Sequence, residues 1–226
     1  MAAVFQSIKE PHLIDVTEVC QHHEVSVDAG LSHHAVIERQ AQHGLNELPK
    51  ADVVPAWKKF FAQFNDTLIL ILIGAAVVSA VISQELKTPL VVLVVVLANA
   101  IIGFFQEHKA EAALDALRSM VIGEAKVRRD GEVRMIPMHE IVPGDIVLVE
   151  AGDRIPADGR LLVTANLEIE EAALTGESQP VVKVTDTLAA HGEHGGLGDR
   201  FNMAFKNTAV TRGRGEFITT ATGPHT

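Results

Sequence analysis

Between Leu68 and Ser83 the chain reads LILILIGAAVVSAVIS, without one charge. After a polar link at 84–88 (QELKT), a second uncharged block, PLVVLVVVLANAIIGFF, runs from Pro89 to Phe105. Each block lies near the lower end of the ~17–25 residues that span a bilayer as a helix. The pair therefore predicts a transmembrane helical hairpin over 68–83 and 89–105. A pair of buried core elements would give the same runs, but little else in 226 residues could cover both. The flanks favour the membrane. Trp57, Phe60, Phe61 and Phe64 fall on one helical face, with Lys58 and Lys59 off it, as in an interfacial segment. Phe104 and Phe105 edge the second block, followed by His108 and Lys109. Basic residues sit outside the hairpin on both sides and the link carries only Lys87, so both termini are expected in the cytoplasm of a multi-pass cell-membrane protein. The opening MAAVFQSIKEPH has no apolar h-region of a signal peptide.

Outside the blocks the pattern changes twice. His33 to Leu48 predicts one or two short helices, with Ser32 as N-cap, Gly44 as stop, and Val36, Ile37 and Ala41 as a modest apolar face. Gln106 to Met120 is rich in strong helix formers and extends the second span as a stalk, ended by Gly123. From Ala125 to about Gly223 the chain becomes short strands and turns. Asp130-Gly131 marks a hairpin within 127–136. Pro143-Gly144-Asp145 suits a type II turn. Further turns are expected at 151–153 and 156–159, with strands at 146–149 and 161–163 and an alternating stretch at 167–170.

Composition narrows the chemistry. A formal net charge of -10 argues against a nucleic-acid binder. The single cysteine, Cys20, excludes an internal disulfide framework and a cysteine zinc ribbon. A mean hydropathy of +0.21 is too high for disorder. The pairs His22-His23 and His33-His34 point in different directions on a helix, and His191 and His194 lie in a glycine-rich loop, so a metal site is the minority reading at each.

The candidate chemistry is Thr175-Gly176-Glu177-Ser178, placed after an apolar run and before Pro180 and hence on an exposed turn. Alone, the four residues read equally as a solvated loop. Their company is more specific. PGD at 143–145, GDRIPADGRLL at 152–162 and LTGES at 174–178, in this order behind the apolar hairpin, resemble the actuator domain of P-type ATPases. The segments 98–117 and 202–223 also resemble this family, and 30–49 resembles the N-terminal domain of its cation-pumping members. The subgroup is most like the type II, calcium-pump-like ATPases. The lack of a Cys-Pro pair or CxxC separates the chain from the heavy-metal subgroup.

The resemblance implies a membrane α + β protein. A small helical N-terminal domain (1–55) would precede an interfacial segment and two spans (56–105) and a stalk (106–123). A mainly-β, distorted jelly-roll-like cytoplasmic actuator domain (124–226) would follow, with a linker toward a third span. It also implies a role in hydrolysing an aspartyl-phosphate. Glu177 would orient the attacking water or accept its proton. Thr175 and Ser178 would shape the loop, and Gly176 would let the backbone approach the phosphate. The domain would act as a rotating lever on the membrane helices. The family's DKTGT motif is absent, as are a nucleotide domain and a Walker GxxxxGK[ST]. ATP and Mg2+ are thus expected for a complete pump, with no cofactor held by this chain, which alone is expected neither to hydrolyse ATP nor to move ions. The expected partners are the lipid bilayer, the phosphorylation domain of a pump in cis or in trans, and a cation, with Ca2+ suggested by the subgroup. Two functional readings follow: the N-terminal part of a cation-transporting P-type ATPase, or a freestanding non-catalytic membrane protein that binds or regulates a complete pump. One departure is Lys206, where the resemblance leads one to expect an uncharged residue.

Overall fold

A computed structural model describes residues 10–48, 55–83, 87–120, 123–188 and 196–226. The first residues, link positions 84–86 and the loop histidines His191 and His194 lie outside the described residues. The chain divides into two compact units.

The first unit joins the residues up to 48 with those from 123 onward. Its centre is an antiparallel sheet. The strands are β1 (Glu124–Arg129), β2 (Glu132–Pro137), β3 (Ile146–Glu150), β4 (Asp158–Glu170), β5 (Val181–Val182), β6 (Met203–Ala204) and β7 (Ala209–Ala221). They pair in the order β2-β1-β3-β7-β4-β5, with β6 on β4. Asp130 (φ 52°) and Gly131 (φ 78°) make the tight β1–β2 turn that their dipeptide predicts. The Asp145 amide donates to the Val142 carbonyl at 3.1 Å with Gly144 at φ 91°, the expected type II turn. Two expectations change. The strand expected at 161–163 and the alternating stretch at 167–170 are one 13-residue strand, with register shifts beside Asn166 (φ 52°). The expected turn at 156–159 is half strand, because Asp158 and Gly159 begin β4. Gly159 is small because a Cβ there would lie 2.1 Å from the Phe217 ring. The main core includes Val127, Val147, Ile155, Leu161, Leu167, Ile169 and Phe217.

The N-terminal helices are α1 (Val16–His22) and α2 (His33–His43). Asp15 caps α1 by accepting from the Thr17 amide at 2.8 Å. Ser32 caps α2 by accepting from Ala35 at 3.3 Å, and Gly44 (φ 74°) ends it, as predicted. The buried face matches the expected one only at Val36. Val36 and Arg39 are buried, whereas Ile37 is 55% exposed and Ala41 is exposed. The reason is tertiary. Val36 joins Val19, Cys20, Val25 and Leu31 in a second core that includes Val142, Ile146 and Ile218 of the sheet layer. Backbone bonds reinforce the docking: the Asp130 amide donates to Leu31 (3.0 Å) and the Gly131 amide to Ala29 (2.7 Å).

The second unit holds α3 (Ala56–Ala62), one 3-10 turn (Gln63–Asn65), α4 (Thr67–Ser83) and α5 (Lys87–Met120). Asp66 caps α4, accepting from Leu68 at 2.8 Å. α4 packs on α5, and Ile69, Val96 and Ala100 are buried. Lys59 bonds Glu111 at 2.6 Å, and the Phe60 and Phe104 rings meet edge-on at 6.3 Å. Within α5, Pro89–Leu114 is long and apolar enough to cross a membrane. α4, with 17 residues, reaches that length only together with the preceding helix, across a 66° bend. Both predicted stretches are helical, and among the described residues one helix qualifies by itself as a span. Both leave large apolar side chains exposed, among them Val81 (72%), Ile82 (78%) and Val91 (63%).

Candidate functional site

The TGES residues sit where β4 leaves the sheet. A four-residue helix, α6 (Ala172–Thr175), follows, with Glu171 at its N-cap position. The Glu171 carbonyl accepts the Leu174 amide at 2.9 Å, the Thr175 amide at 3.0 Å and the Thr175 hydroxyl at 3.1 Å. Gly176 ends the turn at φ 78°. The Thr175 Oγ1 then accepts the Glu177 amide at 3.2 Å. Thr175 is half-buried, while Gly176, Glu177 and Ser178 are exposed, as the sequence predicts. The structure brings Thr175 and Glu177 together through that bond. It also gives Gly176 a local reason of its own: a left-handed C-cap that a side chain would strain.

Beneath this exposed turn lies a pair that the sequence reading missed. Glu171 and Lys183 meet at 2.5 Å with side chains 1% and 0% exposed. Burial pushes the Glu171 carboxyl up, opposed by Lys183, and pushes the Lys183 ammonium down, opposed by Glu171. The Lys183 ammonium also lies 5.7 Å from the centre of the Phe205 ring. The Lys183 amide donates to Leu167 of β4 at 2.9 Å. Glu171 follows a run that alternates apolar and acidic, and nothing in that pattern distinguishes it from a surface acid.

Most of the other motif residues are internal. Asp145 of PGD is fully buried, bonded by Arg129 Nε at 2.8 Å, Arg129 Nη2 at 2.6 Å and the Val142 amide at 2.9 Å. Asp153 accepts the Glu150 amide and Asp158 the Lys206 amide. Arg160 is fully buried and donates to the carbonyls of Leu161 and Thr185, each at 2.9 Å. Arg39 donates to the Pro143 carbonyl at 2.7 Å and also to the His23 carbonyl. Asn46 joins four segments. Its Nδ2 donates to Met138 (3.0 Å) and Pro156 (2.9 Å), and its Oδ1 accepts from Lys206 Nζ (3.0 Å) and the Gly223 amide (2.9 Å). Lys206, unexpected from the sequence, therefore has a defined partner. Of the motifs singled out, TGES presents the continuous exposed run Gly176-Glu177-Ser178, whereas GDRIPADGRLL exposes only Gly152 and Arg154 and is otherwise buried or half-buried. Among the described residues, no group of three or more His, Cys, Asp or Glu is placed to hold a metal.

Comparison with known proteins agrees with this layout. Residues 119–226 match the P-type ATPase actuator domain, and residues 11–79 match the cation transporter/ATPase N-terminus. The chain is 44% identical over 225 residues to the "Calcium-transporting ATPase 1" of Bacillus cereus, covering 99% of this chain and 24% of that protein. It is 37% identical over 206 residues to the "Calcium-transporting ATPase type 2C member 2" of Rattus norvegicus (91% and 21%). It is likewise 37% identical over 212 residues to the "Sodium/potassium exporting P-type ATPase cta3" of Schizosaccharomyces pombe (94% and 20%). The chain spans between a fifth and a quarter of the length of these relatives.

Proposed function

The chain belongs to the P-type ATPase family, and on that premise we propose that it is the N-terminal and actuator part of an ATP-driven cation transporter, with the TGES turn serving aspartyl-phosphate hydrolysis. The observation that carries this reading is the contrast within the motifs: Gly176, Glu177 and Ser178 form a continuous exposed run, on a turn whose Thr175 hydroxyl already holds the Glu177 amide, whereas Asp145, Ile155 and Arg160 of the other motifs are buried. Such a turn can be inserted into a second domain without disturbing the core behind it. Once inserted, the Glu177 carboxylate orients a water toward the acyl phosphate and accepts its proton. Thr175 fixes the backbone from which Glu177 projects, and Ser178 adds a hydroxyl to the loop. A carboxylate beside a phosphate is repelled in the ground state, so docking follows departure of the cation-bound form. ATP and Mg2+ act on the phosphorylation and nucleotide domains of a complete pump. The cation is Ca2+ by analogy with the relatives named for calcium.

In this reading α4 and α5 both cross the bilayer. Their exposed apolar side chains support it, since lipid solvates what water does not. The basic residues outside the pair support cytoplasmic placement of both ends, and with it rigid-body rotation of the actuator pulling on the helices.

A chimera tests the proposal. This chain replaces the aligned quarter of the Bacillus cereus relative, and phosphoenzyme formation and decay are followed with and without Glu177→Gln. The expected result is unchanged phosphorylation from ATP and decay slowed by roughly 100-fold or more. Decay at the parent rate would remove Glu177 from the reaction.

A further inference from the structure

We propose that the buried Glu171–Lys183 ion pair is the positioning element of the TGES turn, a clamp at the base of the loop that fixes where Glu177 stands. The inference rests on the function proposed above and adds two residues to it. The placement is specific. Glu171 immediately precedes α6, and Lys183 follows the two residues of β5, so the pair closes the loop 171–183 at both stems. Each stem is also tied to β4, Glu171 by continuity and Lys183 through its amide on Leu167.

The clamp is connected to the chemistry by a short chain of bonds. Glu171 is held through its carboxylate by Lys183. Its carbonyl collects the amide and the hydroxyl of Thr175. The Thr175 hydroxyl oxygen receives the Glu177 amide. Moving the Glu171 backbone would therefore move Thr175 and Glu177 together. Above the clamp residues 176–180 are exposed, and Thr175 lies against Gly198, where a Cβ would be 3.1 Å from Thr175 Cγ2. Burying two charges is not the cheapest way to build stability, because well-packed apolar residues often serve as well or better. What the ion pair adds is a strong attraction that holds the two stems of the loop together at one point. A reacting carboxylate needs that, since a displacement of about 1 Å can cost roughly 100-fold in rate.

The test separates geometry from stability. The full chain in lipid nanodiscs is compared as parent, Lys183→Met, and the neutral double variant Glu171→Gln with Lys183→Met. The readouts are hydrogen exchange of the Thr175–Ser178 amides and the unfolding midpoint. A positioning role predicts loop amides exchanging about tenfold faster in both variants, with the midpoint recovering in the double variant. In the chimera the double variant forms phosphoenzyme normally and loses it roughly 10- to 100-fold more slowly. Slow loop exchange in the double variant would overturn the proposal, leaving the pair as an element of stability only. If Lys183→Met does not fold, the double variant carries the comparison. The exchange readout is independent of activity. Normal decay for Glu177→Gln would defeat the functional reading alone, whereas slow decay for Glu177→Gln with normal decay for the double variant would defeat the clamp alone.

Discussion

Two regions of the first unit are built from the same kinds of polar side chains and use them in opposite ways. At the junction between α2 and the sheet, Arg39, Asn46 and Asp145 are all at least 94% buried, and each makes several bonds to backbone groups or to partner side chains. At the TGES turn Gly176, Glu177 and Ser178 face solvent, Thr175 is half-buried, and a buried ion pair lies beneath them. The junction is over-determined: every bond there restrains a group that others already restrain. The turn is under-determined, held from below and open above. A surface meant to meet another domain has to be the second kind, because groups satisfied internally have nothing left to offer. The contrast predicts that damage at the junction reads out as lost folding, and damage at the turn as lost chemistry with folding kept.

The largest effect is expected from Gly144→Ala. Gly144 adopts φ 91°, and a Cβ there would lie 1.9 Å from Arg39 Nη1 and 3.3 Å from Val25. The substitution strains the turn and displaces a buried guanidinium from the Pro143 and His23 carbonyls. Together these should cost about 4 kcal/mol, read as a lower unfolding midpoint of the full chain. A loss below about 1 kcal/mol would mean that the junction tolerates repacking and is not over-determined.

A smaller effect on the same region comes from pH. His23 is 3% exposed, and its pKa is held down to about 3, by burial first and then by the Arg39 charge, with His22 and His43 adding to it. The unfolded chain therefore binds this proton more readily than the folded one. Its contribution to stability is complete above pH 6.5 and is lost as pH falls from 6.5 toward 3. Between pH 6.5 and 5, before most carboxylates titrate, the loss should be about 2 kcal/mol. His23→Leu should flatten the stability profile over that interval. An unchanged slope would assign the acid sensitivity to another group.

This division was partly legible in the sequence. Local chemistry was readable where a residue acts on its own neighbours. Asp130-Gly131 and Pro143-Gly144 set their turns, Ser32 and Gly44 bound α2, and Pro180 and its surroundings left TGES exposed. Long-range pairing was not. Helical spacing offered Val36, Ile37 and Ala41 for the inward face of α2, but the sheet it packs on takes Val36 and Arg39 and leaves Ile37 and Ala41 out. Asn46 reads as a polar residue near a helix end, and only the fold brings Met138, Pro156, Lys206 and Gly223 to it. Glu171 and Lys183 are 12 positions apart and become partners only because the intervening loop closes on β4. Two strand signals merged into one because Asn166 takes a left-handed conformation at a register shift instead of ending the strand. The exposed turn was legible, therefore, and the elements that hold it in place were not.

The smallest expected effect sharpens the contrast most. Glu177→Gln keeps the size of an exposed side chain and removes one charge. The bond that orders this position is made by its backbone amide to Thr175, which the substitution leaves in place. Exposed substitutions away from caps, cores and ion pairs usually change stability by less than about 0.5 kcal/mol. The unfolding midpoint of the full chain should therefore match the parent while dephosphorylation in the chimera is lost. A clear destabilisation would show that the Glu177 carboxylate has a partner within the fold. The turn would then resemble the junction, and its freedom to meet another domain would have to be argued from a different residue.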